Sequence, residues 1–355
     1  MMLIMKVAHN IYIHVPFCMS KCNYCAFYSF ACKSPDWEKY ATSVCDELCF
    51  WSDKIGKPDV PTIFFGGGTP SLMPVKVFEQ VMNCIKEKFN ISPDCEITLE
   101  SNPGTLDKDK LSDFISNGVN RLSVGVQSLI DDELIFLGRR HNVSQAKDLL
   151  NNAMGMGLRV SADFIYGLPN QTKQSIEKMC CDINKLGLQH VSMYELTIEK
   201  NTPFGKMNLK MPDNETMAEM YTTIPTVLSL PRYEVSNYAV PGQECKHNQN
   251  IWMGDAYIGI GRAAAGRVFV DDVWYDEMGN NERFEKMDTK TRNIEKILTG
   301  MRTINGVKLD DDIRSLINFD WVNKHKNLVA EKNDYLYATS QGFLILDNIM
   351  LDLIK

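Results

Sequence analysis

Three thiols fall within eight residues, in the run Cys18-Met-Ser-Lys-Cys22-Asn-Tyr-Cys25. Thiolates at spacings of four and three can wrap one small cluster from a single loop. A structural zinc site needs four ligands, and no further pair of Cys or His follows at finger spacing. Ferredoxin-type clusters also take four cysteines, spaced differently. Three ligands on a cubane leave one iron open to a small molecule. A dithiol pair made of Cys22 and Cys25 would leave Cys18 unused. The expected chemistry is therefore an iron–sulfur cluster on Cys18, Cys22 and Cys25. The other eight cysteines of the eleven are scattered and read as small buried hydrophobes.

A second signal follows in Ile63-Phe64-Phe65-Gly66-Gly67-Gly68-Thr69-Pro70, where three glycines end an apolar run. Without side chains there, backbone groups can approach a ligand closely and hydrogen-bond an ammonium. Polar residues recur where later apolar runs end. Glu100 closes one and could accept from ribose hydroxyls. Gln127 follows another, Asp163 lies inside a third, and Arg139 follows a short helix. An unpaired carboxylate in such a run would be costly, so Asp163 calls for a partner.

The elements that must carry these residues alternate. Strand-like runs at Ile11–Val15, Thr62–Phe65, Glu96–Glu100, Arg121–Val126, Arg159–Tyr166 and His190–Leu196 are separated by helical stretches. That pattern predicts parallel strands with right-handed crossovers, with the polar residues at the strand C-termini where barrel enzymes build their sites. Six βα units are two short of a closed barrel. The expected fold class is α/β: a partial (β/α)6 TIM-type barrel followed by a C-terminal α+β, winged-helix-like domain, divided as 1–232 and 233–355. With 355 residues, 44% hydrophobic and 23% charged, the chain is of globular composition. Its net charge of −7 argues against bulk-charge binding of nucleic acid. No apolar run approaches the roughly 18–20 residues of a membrane span. Met1–Val7 is too short an apolar stretch for a signal-peptide core, so a cytoplasmic location is expected.

The cysteine motif after an opening strand resembles the signature of the radical S-adenosylmethionine (SAM) superfamily, in which the unique iron of a [4Fe–4S] cluster chelates SAM. From Tyr12 to Trp252, and more loosely beyond, the sequence is similar to the oxygen-independent coproporphyrinogen III oxidase family. The matching segments are Tyr12–Cys18, Phe64–Ser71, Gly118–Gln127, Asp163–Pro169 and Tyr194–Glu199. The resemblance implies SAM contacts at Tyr12, Tyr24, Gly67, Gly68, Thr69, Glu100, Gln127, Arg139 and Asp163. The family holds decarboxylating oxidases and haem chaperones. Oxidases carry a further cysteine where this chain has Phe27, and an N-terminal extension for which the seventeen residues before Cys18 leave no room. The stretch Glu244–Trp252 resembles the HNxxYW motif of the haem chaperone branch. The expectation is a haem chaperone holding a [4Fe–4S] cluster, SAM and haem, with coproporphyrinogen III oxidase as the alternative. Its implied partners are haem-accepting proteins, respiratory enzymes among them, with membrane contact only through those partners, no nucleic acid, and a homodimer allowed.

Within that stretch His247 is the expected haem ligand. It is read as a loop residue, with Asn248 to fix its tautomer and Trp252 to cover the porphyrin; Cys245 and Met253 are rivals. Two departures stand out. Ile251 replaces the motif's tyrosine, and Gly261-Arg-Ala-Ala-Ala265 replaces a family Gly-Pro-Gly-Ala-His.

Overall fold

Ile11, Ile13 and Val15 of β1 (His9–Val15) and Ile63 and Phe65 of β2 (Asp59–Gly67) are fully buried. Strands this apolar need cover on both faces, and helices between parallel strands supply it. In the computed structural model, which describes residues 7–279 and 283–355, α1 (Trp37–Ile55) starts where Asp36 accepts from the Lys39 amide and stops at Gly56, φ 83°. Then come α2 (Val75–Lys88), β3 (Asn90–Ser101), α3 (Lys108–Ser116), β4 (Arg121–Gln127), α4 (Val143–Gly155), β5 (Arg159–Tyr166), α5 (Lys173–Asn184) and β6 (His190–Glu195). Capping boxes from Asn142 with Gln145 and from Thr172 with Ser175 open α4 and α5. Strands β1 to β6 pair in parallel in chain order, giving the partial barrel.

The sheet then grows at both ends. After α6 (Asn214–Val227), β7 (Asn237–Ala239) adds antiparallel to β6. A helix, α7 (Lys246–Trp252), leads into β8 (Ala256–Ile260), which returns to the opposite edge and pairs in parallel with β1, His9 against Ala256. The antiparallel strands β9 (Ala265–Val270), β10 (Val273–Met278) and β11 (Arg283–Lys286) follow. Among the described residues this makes one eleven-stranded open sheet. It runs through the 232/233 division expected from sequence. Residues 1–6 of the stretch read for a signal-peptide core lie outside the described residues.

Helix α8 (Thr289–Gly300) leads to the tail: β12 (Val307–Lys308), α9 (Asp311–Leu316), α10 (Phe319–Lys324), β13 (Val329–Lys332), β14 (Tyr335–Ala338) and α11 (Leu346–Leu353). Its core is separate from the barrel's and includes Ile297, Ile313, Leu336 and Leu353. Before α11 a short helix runs over Ser340–Phe343, in which Gly342 packs on the Leu328 carbonyl. Among the described residues no helix is long and apolar enough to cross a membrane.

The turn between β8 and β9 holds Gly261 at φ 92° and Ala263 at φ 63°. Ala263 stands where the related family has its second glycine, and an alanine there carries a left-handed conformation at a cost of roughly 1–2 kcal/mol. Ala263→Gly is expected to stabilise the protein by up to about 1 kcal/mol after the added chain entropy of glycine. Urea unfolding of the two proteins side by side reads the difference; an unmoved midpoint would contradict it.

Candidate functional site

The C-terminal ends of the barrel strands open on a cleft of about 440 Å³ lined by Cys18, Cys22, Cys25, Tyr24, Gly67, Gly68, Thr69, Glu100, Gln127, Arg139 and Asp163. All but one of the expected cluster and SAM residues thus meet on one rim. The exception is Tyr12, which borders a cavity of about 260 Å³ beneath this cleft. Its hydroxyl is hydrogen-bonded to His14 Nδ1 at 3.1 Å.

The cysteine loop is held by residues around it. Phe17–Cys18 pairs with Phe30–Ala31 as a two-stranded sheet. His14 Nε2 meets the Tyr28 carbonyl at 2.7 Å, and Lys21 Nζ donates to the carbonyls of Phe27 and Ser29, both at 2.9 Å. Asn23 donates from its side chain to Phe136 O at 2.8 Å and from its amide to Leu137 O at 3.1 Å. Arg139 brings positive charge to the thiols, with Nη1 3.3 Å from Cys22 Sγ. Its other nitrogen donates to Gly125 O at 2.7 Å and to Asn102 Oδ1. Burial pushes the Cys18 thiol up, opposed by the Thr69 hydroxyl 3.6 Å away. Among the described residues no group of three or more His, Cys, Asp or Glu is arranged to share a single metal ion. The three thiols suit a multi-iron cluster, in which each binds its own iron.

The amides of the glycine run are taken up within the protein. The Gly67 amide donates to Glu100 Oε2 at 3.1 Å, the Gly68 amide to Val15 O at 2.8 Å, and the Thr69 amide to Phe17 O at 2.9 Å. Their donors are engaged, so a ligand ammonium would find carbonyls here. A Cβ on Gly68 would stand 2.8 Å from Phe17 O and 3.0 Å from Cys18 Sγ. Gly68 therefore positions the cysteine loop as well as the cleft wall.

Deeper in the cleft two carboxyls face each other. Burial, with the Asp163 charge adding, pushes Glu100 up to about 8; burial also raises Asp163, against hydrogen bonds from Ser192 and Ser123. Ser123 Oγ lies 3.2 Å from Asp163 Oδ2. At neutral pH Glu100 is largely protonated and can donate as well as accept. Gln127 sits at a bulge with φ 70°, a left-handed conformation rare for a residue with a side chain. Sequence reasoning missed Asn102, which donates to Thr69 Oγ1 at 3.0 Å and accepts from Arg139. Its place just past a strand end was the available signal.

His247 is not where the sequence suggested. It lies on the first turn of α7, 2% exposed, stacked on Phe64 at 5.0 Å between ring centroids. The Thr62 hydroxyl donates to Asn10 Oδ1 at 2.7 Å, so His247 Nδ1–H must donate to Thr62 Oγ1, also 2.7 Å away. Nε2 is left without a protein partner on the 260 Å³ cavity, whose walls also include the unpartnered Asn237 Oδ1. Burial lowers the imidazole to about 4, so it is neutral. That volume falls below the roughly 300–1,000 Å³ of ligand pockets and suits ordered water, so Nε2 faces a small buried cavity rather than an open cleft. Trp252 covers no open face either: the Arg302 guanidinium lies 5.3 Å over its ring. Cys245 is buried, its thiol 3.7 Å from Glu96 Oε1.

The family model described as the radical SAM superfamily matches residues 12–182. The haem chaperone HemW of Escherichia coli (strain K12) is 38% identical over 271 residues, covering 74% of this chain and 71% of the relative. HemW of Bacillus subtilis (strain 168) is 35% identical, covering 72% and 70%. HemW of Lactococcus lactis is 28% identical across 96% of both chains. Among solved structures, the coproporphyrinogen III oxidase HemN of Escherichia coli, a radical SAM enzyme, superposes with a TM-score of 0.80 over 98% of this chain and 90% of its own, at 19% identity. That likeness establishes the fold, while the match to the radical SAM family model marks the cleft as a radical-SAM-type module for an iron–sulfur cluster and SAM.

Beneath the site, Glu96 accepts from the amides of Lys246 at 3.1 Å and His247 at 3.0 Å and from Arg159 Nη1 at 2.9 Å. Burial alone would raise this carboxyl, but Arg121, the His247 amide, Arg159 and the Lys246 amide together hold it below the usual carboxylate range. Its stabilising contribution is present above the unfolded-state pKa and is lost as pH falls through the depressed folded value. Glu96→Gln is expected to cost about 3 kcal/mol at pH 7, and the gap from the parent should narrow on acidification. Urea unfolding at pH 7 and below pH 4 checks both; a cost independent of pH would contradict the charge argument.

Proposed function

The chain belongs to the HemW branch of the radical SAM superfamily, and from that premise we propose that it is a haem chaperone, which binds haem and delivers it to haem proteins. The observation that carries the reading is its similarity, at 35–38% identity over more than two thirds of both chains, to relatives named haem chaperones. Phe27 supports it as well. The residue stands 70% exposed at the rim of the cleft, where the family's oxidases carry a cysteine. Recipients are haem proteins, respiratory enzymes among them, met in the cytoplasm.

In this reading Cys18, Cys22 and Cys25 would hold a [4Fe–4S] cluster, which would supply an open iron site for SAM. Arg139 offsets the negative charge beside Cys22. The carbonyls of the glycine run accept from the ammonium, while Glu100 and Asp163 meet hydroxyl and amine groups deeper in the cleft. Gln127 and Tyr24 shape the wall.

Anaerobic reconstitution followed by haem titration tests the proposal. The parent protein should bind haem and form no protoporphyrinogen from coproporphyrinogen III with SAM and a reductant; decarboxylated product would restore the oxidase reading. Cys18→Ala, Cys22→Ala and Cys25→Ala should each lose most of the iron. Gly68→Val should lose iron and SAM affinity together, since its side chain would strike the cysteine loop. Retained iron with lost SAM affinity would confine Gly68 to the SAM pocket.

A further inference from the structure

Helix α7 has two working faces. His247 and Ile251, one turn apart, border the cavity inside the barrel. Gln249 and Met253, also one turn apart, line a separate cleft of about 690 Å³ between α7 and the tail. Residues two apart on a helix point to nearly opposite sides, so the motif that suggested haem binding presents a second face outward. Met253 is 60% exposed.

The far wall of this cleft is the sheet β12–β14–β13. Lys308 pairs with Tyr335 on one side and Lys332 pairs with Tyr335 on the other, a row of Lys-Tyr-Lys across three strands. Alternation sends the same face to Tyr337, while Val307, Leu336, Val329 and Ala338 point into the tail core. The two lysine backbones stand roughly 10 Å apart, twice the strand spacing. Lys296 of α8 adds a third cation, and no Asp or Glu lines the cleft. The acids that face Lys296 most closely, Asp255, Asp310 and Asp312, lie outside the lining. In a chain of net charge −7 this is a local concentration of positive charge around aromatic rings.

Such a wall fits a flat, largely apolar dianion. Among the described residues no His or Cys lines the cleft, so of its uncharged side chains the Met253 thioether and the tyrosine phenols are the ones able to ligate iron. A thioether is a recognised haem ligand, and a single neutral one at an open cleft suits a protein that must release its cargo. Resting on the haem-chaperone reading, we propose that haem is carried in this cleft, with Met253 as axial ligand, Tyr335 against the macrocycle and Lys308 and Lys332 paired with the two carboxylates.

The experiment is haem titration of the full-length protein by absorbance, comparing the parent with Lys308→Glu/Lys332→Glu and with Met253→Leu. These positions are exposed or at a helix end, and circular dichroism confirms folding. The double charge reversal should raise the Kd at least tenfold. Met253→Leu, close in volume, should shift the haem absorption bands. Failure of the parent itself to bind haem would overturn the chaperone reading. Haem binding by the parent with unchanged affinity and spectrum in both variants would overturn the cleft alone. Salt-sensitive DNA retention abolished by the charge reversal, with haem affinity unchanged, would assign the face to nucleic acid instead.

Discussion

One buried carboxylate organises the underside of the barrel. Glu96 sits where β3 enters the core and receives the first amides of α7, from about 150 residues away in sequence, together with the Arg159 guanidinium. Five of the seven residues of α7 are polar, and an isolated helix so short would not persist in water. Glu96 supplies the anion that its N-terminus lacks. Arg159 extends the arrangement by donating to Gln243 and to the Glu244 carbonyl, which fixes the approach to α7. Buried ion pairs are poor evidence for net stability. Here the gain is placement: α7 closes the barrel on one face and receives the tail on the other, through Arg302 over Trp252 and Arg292 donating to the Gly254 carbonyl.

The barrel interior therefore changes character along its axis. At the rim Arg139 sets a cation beside thiols, while lower down Glu100 and Asp163 are held toward their neutral forms by burial. Below them the neutral His247 turns an unprotonated nitrogen into a small polar cavity. The Arg121 guanidinium lines that same cavity, and its positive charge acts on both Glu100 and Asp163, against the burial that raises them.

Much of this was legible in sequence, for physical reasons. The six barrel strands were visible because β-branched runs buried on both sides admit few polar residues, and β5 begins and ends where the pattern says. The cysteine loop, the glycines and the rim polar residues were visible because their types are hard to explain otherwise. Helix α7 was not, since its stability comes from Glu96 and Arg159 and leaves no periodic signal in Lys246–Trp252. Mistaking it for a loop put His247 outside when it is inside. Tyr12 lies lower along β1, on the small cavity that shares Glu100 and Asp163 with the cleft, a depth that a motif cannot convey. The return of β8 to the edge beside β1 is a long-range pairing that no local pattern announces.

An open barrel leaves a sheet with two ends, and both are protected. At one end β7 is only three residues long and its outer edge is taken up by the preceding chain, the Ala239 amide donating to Pro231 O at 3.0 Å and the Tyr233 amide to Asn237 O at 3.1 Å; at the other, β11 reads Arg-Phe-Glu-Lys, with charge at three of its four positions. Short or charged outer strands discourage another chain from adding itself to the sheet. The sheet's growth beyond six strands is thereby self-limiting. It also means that strand addition by another protein is disfavoured at both ends. A protein docking on this chain would be read through side chains, where a few substitutions can alter the surface without touching the barrel.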